Sequence, residues 1–277
     1  MLSSRFKYTK GSPAAKAWGI LRSLKIQDFP IDPRCIAELL GIVIWERELP
    51  DNCDGCLMRV GSASGILINA RIRSETRRKF TIAHEIGHYL LENDTDGDQR
   101  NTVFEKPSEY GTKENLEKKA YLQSETRANQ FAVELLMPTP IFLVDSTSLP
   151  LIGLPAINTL ASQYGTSFTS TGIHYTRLSN QACAIVFSEA GIIRYFAYSN
   201  KFRKNKDCYL VNGQPIPPKA LASRFNNEVC IDDEMDEIPL EYWCQPNHSA
   251  GKNDKIIEHS RRIPNTKQVI TFLHIPN

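Results

Sequence analysis

The spacing of apolar positions along the 277-residue chain changes several times, and each change marks an element. Residues 14–24 place apolar side chains at helical spacing and predict a short helix. The run DPRCIAELLG predicts a second one, with Asp32 placed to cap its start and Gly41 to end it. The spacing then becomes that of strands. IVIWER, GCLMRV and GILIN are short runs rich in β-branched residues, and the Gly and Ser residues of 61–65 suit a turn, so a small sheet is expected. After Ser74, a candidate cap, Phe80, Ile82, Ala83, Ile86, Tyr89, Leu90 and Leu91 cover nearly the whole circumference of one helix. Such a helix is expected at the centre of a domain, packed on several sides.

Residues 93–113 are polar and rich in Gly, Asp and Asn, which predicts a loop long enough to serve as a lid. A second long helix is expected over 114–137, stopped by Pro138 and Pro140. Residues 155–178 predict two helices around a turn at Gly165, with Ser167 capping the second. From Cys183 onward short strands alternate with Pro, Gly and Asn turns. No internal repeat is visible.

Composition narrows the class. With 41% hydrophobic and 23% charged residues, the chain falls in the range of soluble globular proteins, away from disordered, collagen-like and membrane classes. A formal charge of +2 is too small for the phosphate-tracking electrostatics of a dedicated nucleic-acid binder. No apolar run has the length of a signal peptide or a bilayer span, so export and membrane insertion are not expected. Seven scattered cysteines, an odd number, fit reduced thiols better than a disulfide scaffold. A cytoplasmic location is the expectation.

Chemistry enters with FTIAHEIGHYLL, where His84, Glu85 and His88 form an H-E-x-x-H pattern. Residues four apart share a helix face about 6 Å along the axis, so two imidazoles can converge on one metal ion while the glutamate reaches the position beside it. Burying these three groups in an apolar helix is costly unless a metal or a hydrogen-bond network engages them. Gly87 weakens a helix by about 1 kcal/mol relative to Ala, which makes sense if another element approaches closely there. A catalytic zinc usually takes three protein ligands and a water, so a third ligand is required. Leu91 and Asp94 stand where a metzincin has its glycine and last histidine, which excludes that class. Glu92 lies about 12 Å from His84 along the same helix, too far to close a tetrahedral site. The second long helix offers Glu125 and Glu134. Glu125 is favoured because Ala128, Asn129 and Ala132 follow on its face, giving small residues for close packing and an amide that can support a histidine ligand.

ILINARIRSETRRKFTIAHEIGHYLL followed by ETRANQFAVELLMP resembles the ImmA/IrrE family of metallopeptidases, in which an H-E-x-x-H helix is completed by a glutamate ahead of A-N and a terminal L-L-M-P. SFTSTGIHYTRLSNQACAIVFS is similar to the segment that follows in longer members, so the resemblance runs over 31–187. It implies His84, His88 and Glu125 as ligands of Zn²⁺, with Mn²⁺ or Fe²⁺ as substitutes, and Glu85 as general base. It further implies peptide hydrolysis, with a regulatory protein such as a DNA-binding repressor as substrate, cut in a stress or mobile-element response. The stretch between His88 and Glu125 is longer than in compact members. No repressor-type helix-turn-helix precedes the motif, so a separate repressor encoded nearby is the expected partner.

The expected fold is therefore α+β, with a zincin-like helical peptidase domain and small sheet over 1–150, a helix-turn-helix-like connector over 151–180 and a β-rich, sensor-type domain over 181–277. Asn129 is expected to support a ligand, and His174 and Tyr175 are candidate transition-state donors. GILIN is a candidate sheet edge for an extended substrate. Weaker signals are Cys53-x-x-Cys56, a partial calcium-loop pattern at Asp94, Asp96, Asp98 and Glu105, and a basic corner at Arg71, Arg73, Arg77, Arg78 and Lys79. The second connector helix carries only His174 and Arg177 as basic side chains, thin for DNA phosphates. The rival function is a non-catalytic module that sequesters a repressor or antitoxin.

Overall fold

The computed structural model describes residues 9, 11–60, 63–92, 112–204, 210–225, 233–244, 254–263 and 266–276. The expected 93–113 loop lies almost wholly outside them, and so does the calcium-like pattern within it. The fold is mixed α and β, with two separate sheets and a β-rich C-terminal part. The chain divides into two compact units, Met1–Asp145 with Ala161–Ser167, and Ser146–Leu160 with Phe168–Asn277. No helix among the described residues is long and apolar enough to cross a membrane.

The first unit opens with α1 (Pro13–Ser23) and α2 (Pro33–Leu39). Ser12 caps α1 by accepting the Ala15 N–H at 3.2 Å, and Asp32 caps α2 by accepting the Arg34 N–H at 2.9 Å. Gly41, at φ +72, turns the chain out of α2 through the left-handed region. The sheet follows as β1 (Val43–Arg47), β2 (Gly55–Val60) and β3 (Ala63–Asn69) in the order β1-β3-β2, with β1 parallel and β2 antiparallel to β3. GILIN, expected at an edge, is therefore the central strand. Its Ile66 and Ile68 are fully buried, and a β-branched run of this kind belongs between two partners. Among the described residues the open edge beside the site is β2. Residues 63–65, expected in a turn, already pair as the start of β3.

Helix α3 (Glu75–Glu92) packs its Ile82, Ala83 and Ile86 into one core with Leu57, Ile66 and Ile68. Ser74 Oγ accepts the Arg77 N–H at 3.3 Å and begins the helix. Helix α4 (Thr112–Leu136) lies against α3 and α1, contributing Phe131, Ala132 and Leu135 to the same core. A further helix absent from the sequence expectations, α5 (Thr139–Ser148), follows directly. Pro140 stops nothing there because it sits in the first turn, where its missing N–H is not needed.

Helix α6 (Leu154–Tyr164) contributes to both units and ends at Gly165, φ +60, before α7 (Phe168–Leu178). Tyr164 packs on Phe29 and Phe142 and donates to Asp145 at 2.6 Å, within the first unit. The second unit is built on β4 (Ala182–Glu189), β5 (Ile192–Tyr198), β6 (Asp233–Pro239), β7 (Lys255–Arg262) and β8 (Gln268–Ile275). They form an antiparallel sheet in the order β5-β4-β8-β7-β6. Short helices α8 (Asn200–Lys204) and α9 (Leu221–Arg224) pack on β4 and β7. Beneath α9 the fully buried Glu258 accepts from the Leu221 and Ala222 N–H groups at 3.1 and 2.7 Å and from Trp243 Nε1 at 2.7 Å. Cys244 is disulfide-bonded, which corrects the expectation of reduced thiols at that position, while Cys35, Cys53, Cys56 and Cys183 are thiols outside any disulfide.

Candidate metal centre

The site arises where α3 and α4 touch. A Cβ placed on Gly87 would lie 3.1 Å from a ring carbon of Phe131 and 3.2 Å from the backbone of Ala128, so the helices meet backbone to backbone at this point. Ala128 and Ala132 are fully buried beside it. The small residues bring Glu125, less than one turn before Ala128, over the face of α3 that carries His84 and His88.

The two imidazole Nε2 atoms are 3.0 Å apart. Glu125 Oε2 lies 3.4 Å from Nε2 of His84, and Oε1 lies 3.2 Å from Nε2 of His88. One ligand atom from each of the three residues falls within 4.8 Å of the others. The opposite ring nitrogens are held from α4: Asn129 Oδ1 is 3.0 Å from Nδ1 of His84, and Ser124 Oγ is 3.3 Å from Nδ1 of His88. An amide oxygen only accepts, so Nδ1 of His84 carries a proton there, and Nε2 is the nitrogen turned to His88 and Glu125. The donor set, two imidazoles and a carboxylate, is the one a hydrolytic zinc ion takes.

Glu85 and Glu125 sit in contrasting surroundings. Hydrogen bonds from His84 and then His88 pull the Glu125 carboxyl down to about 2. Glu85 is buried at 6% exposure, and burial pushes its carboxyl up, against the opposing pull of His84 and His88 and a backbone N–H from Leu57. Both face a cavity of about 610 Å³ whose wall includes Cys53, Leu57, Phe80, Thr81 and Tyr121. Burial, then Cys53 and Glu85, pushes the Cys56 thiol up to about 11, so Cys56 of the Cys-x-x-Cys pair is poor in thiolate.

One wall of the cavity is the 48–54 loop, and it is firmly held. The buried Asn69 donates to the carbonyls of Leu49, Pro50 and Cys53, the last at 2.8 Å, and accepts the N–H of Leu49 and Arg71. Arg77 grips Asp54 through two contacts of 2.6 Å, and Arg71 joins Glu48 and Asp51 at 2.8 and 2.9 Å. Arg78 pairs with Glu46. Most of the basic corner therefore ties the loop and β1 to α3 rather than facing solvent unpaired.

Other candidates fall elsewhere. Glu134, the competing carboxylate, is buried and accepts from Thr139 N–H at 2.9 Å and Thr139 Oγ at 2.8 Å, joining α4 to α5 away from the imidazoles. His174 and Tyr175 do not line the cavity; both are buried within the second unit, where Tyr175 packs on Phe272. Arg177 donates to the Tyr195 hydroxyl at 2.9 Å. Two groups escaped the sequence expectations, Ser124 behind His88 and Tyr121 in the cavity wall. Tyr121 was visible in principle, since it precedes Glu125 by the same four residues that separate Glu125 from Asn129.

A helix bearing H-E-x-x-H, met by a carboxylate from a neighbouring helix, defines a metallopeptidase-type centre. Residues 37–173 match the family model Peptidase M78, the IrrE N-terminal-like domain, so this part of the chain is a domain of that metallopeptidase family. A comparison with curated proteins finds no match.

Because the α4 side chains orient the rings, Asn129→Ala and Ser124→Ala are each expected to weaken metal binding by roughly 10- to 100-fold without unfolding the chain. Competition against a chromophoric chelator measures the change, and unaltered affinity in both variants contradicts the assigned orientation.

Proposed function

We propose that the chain is a zinc-dependent endopeptidase, with His84, His88 and Glu125 as the metal ligands and Glu85 as the general base. The observation that carries this reading is the meeting of two Nε2 atoms and a low-pKa carboxylate in one cavity with a buried glutamate of raised pKa. Zn²⁺, or Mn²⁺ or Fe²⁺ in its place, would supply Lewis-acid polarisation of the peptide carbonyl and acidification of the attacking water. Glu85 takes the proton of that water as its oxygen adds to the carbonyl carbon, then delivers it to the departing amine as the C–N bond breaks. Burial favours this role because a carboxylate of raised pKa accepts a proton more readily. Asn129 and Ser124 hold the rings in register for the metal.

The substrate would lie along β2. Asp54 O accepts the Asn69 N–H at 2.9 Å, which fixes the antiparallel ladder so that even-numbered residues of β2 bond β3 while Gly55, Leu57 and Arg59 turn their backbone groups to the open edge. The Leu57 N–H already reaches Glu85, so this edge runs directly past the base. An extended peptide added to the edge presents a carbonyl to the cavity. The resemblance to ImmA/IrrE proteins supports a DNA-binding repressor encoded nearby as the substrate, cut in the cytoplasm in a stress or mobile-element response. It also supports a division into peptidase (1–150), connector (151–180) and sensor-type C-terminal domain (181–277).

Glu85→Gln is expected to retain one metal per chain, by plasma emission analysis, and to lose cleavage of candidate repressors by 10²- to 10⁴-fold. Repressor inactivation that survives this change would favour the sequestering module instead. Arg59→Pro removes one edge N–H without touching the β3 ladder, and kcat/KM is expected to fall at least 10-fold relative to Arg59→Ala, which keeps that N–H. Equal kcat/KM in the two variants excludes strand addition at β2.

A further inference from the structure

We propose that the Tyr121 hydroxyl donates a hydrogen bond to the oxyanion formed when a peptide carbonyl is attacked in the cavity, which makes Tyr121 a catalytic residue alongside Glu85. The inference rests on the endopeptidase reading and adds a residue to it. Tyr121, Glu125 and Asn129 follow one another at four-residue intervals on α4, share one face, and all line the cavity with Glu85.

Three other donors in the wall are committed. Thr81 donates to the Arg77 carbonyl at 2.9 Å, the Cys53 thiol to the Gly55 carbonyl at 3.4 Å, and the Leu57 N–H to Glu85. Asn129 accepts from His84 through its Oδ1, and Asn52 stands on an exposed part of the loop. The Tyr121 hydroxyl, on a half-buried side chain, has no hydrogen-bond partner among the described residues. Burial, reinforced by Glu125 and Glu85, pushes the phenol above its ordinary value, so it keeps its proton at neutral pH.

Attack places negative charge on the carbonyl oxygen, which a hydrogen-bond donor stabilises. As the water oxygen bonds the carbonyl carbon, the π pair moves onto the carbonyl oxygen and the water proton passes to Glu85. When the intermediate collapses, that pair re-forms C=O, the C–N bond breaks, and the proton on Glu85 goes to the nitrogen. Tyr121 transfers no proton; its hydrogen bond strengthens as charge develops on the oxygen, which lowers the barrier and not the ground state.

Tyr121→Phe removes the hydroxyl alone. The metal-loaded variant is compared with wild type on a quenched-fluorescent peptide library and for binding of a phosphinic peptide, a tetrahedral mimic, against its carboxamide parent. The expected result is a kcat 10²- to 10³-fold lower with KM and metal content unchanged. Affinity for the phosphinic peptide should fall at least 10-fold, and affinity for the carboxamide should not change. A kcat within threefold of wild type overturns the role of Tyr121 and leaves the endopeptidase reading intact. Metal-loaded wild type that cleaves nothing counts against the endopeptidase reading, and the phosphinic peptide then decides Tyr121 by itself: equal binding to wild type and variant overturns the assignment.

Discussion

The site depends on one packing contact, the backbone approach of α3 and α4 at Gly87 and Ala128. A glycine inside a helix costs about 1 kcal/mol of intrinsic stability relative to alanine, and here its missing methyl group lets the second helix close in. Phe131, Ala132 and Leu135 are fully buried on α4, and on its other side α3 rests against Leu57, Ile66 and Ile68. The central helix is thus fixed from both sides, and the distance from Glu125 to the imidazoles follows from core packing instead of loop geometry. Loops set only the rim, where Asn69, Arg71 and Arg77 hold the 48–54 wall.

Electrostatics then separates the roles of two neighbouring carboxylates. Glu125 accepts from both imidazoles, which favours its charged form; Glu85 is buried, which disfavours charge. Carboxyl groups whose surroundings drive their pKa values apart are suited to different tasks, which is the basis for proposing Glu125 as ligand and Glu85 as base. The same logic explains the support from α4. Each ring nitrogen that faces away from the centre meets a polar side chain, Asn129 or Ser124, so the inward nitrogens are oriented toward Glu125.

What the sequence made legible was local. H-E-x-x-H and the apolar residues around it specify a buried helix with two histidines on one face, and Gly87 with the alanines of 128 and 132 pointed to a close helix partner. The preference for Glu125 over Glu134 rested on its neighbours, and the structure gives Glu134 a different task at the start of α5. What stayed hidden was non-local. Whether GILIN is an edge or a centre depends on β1 pairing in parallel with it, and no residue of the strand records that partner. Pro138 and Pro140 look like a full stop, but proline in a first turn is as compatible with a helix start, and α5 begins there. Ser124 carries no signal at all, since a serine beside a glutamate on a polar helix segment is ordinary until His88 is brought to it.

The most direct test of the central claim is X-ray absorption at the zinc edge of the zinc-loaded chain, recorded beside Glu125→Ala. The account predicts one zinc per chain with two imidazole nitrogens at about 2.0–2.1 Å and a carboxylate oxygen at about 2.0–2.2 Å, the oxygen shell being reduced in the variant. A sulfur shell near about 2.3 Å, which would point to Cys53 or Cys56, or a spectrum unchanged by Glu125→Ala, would contradict it.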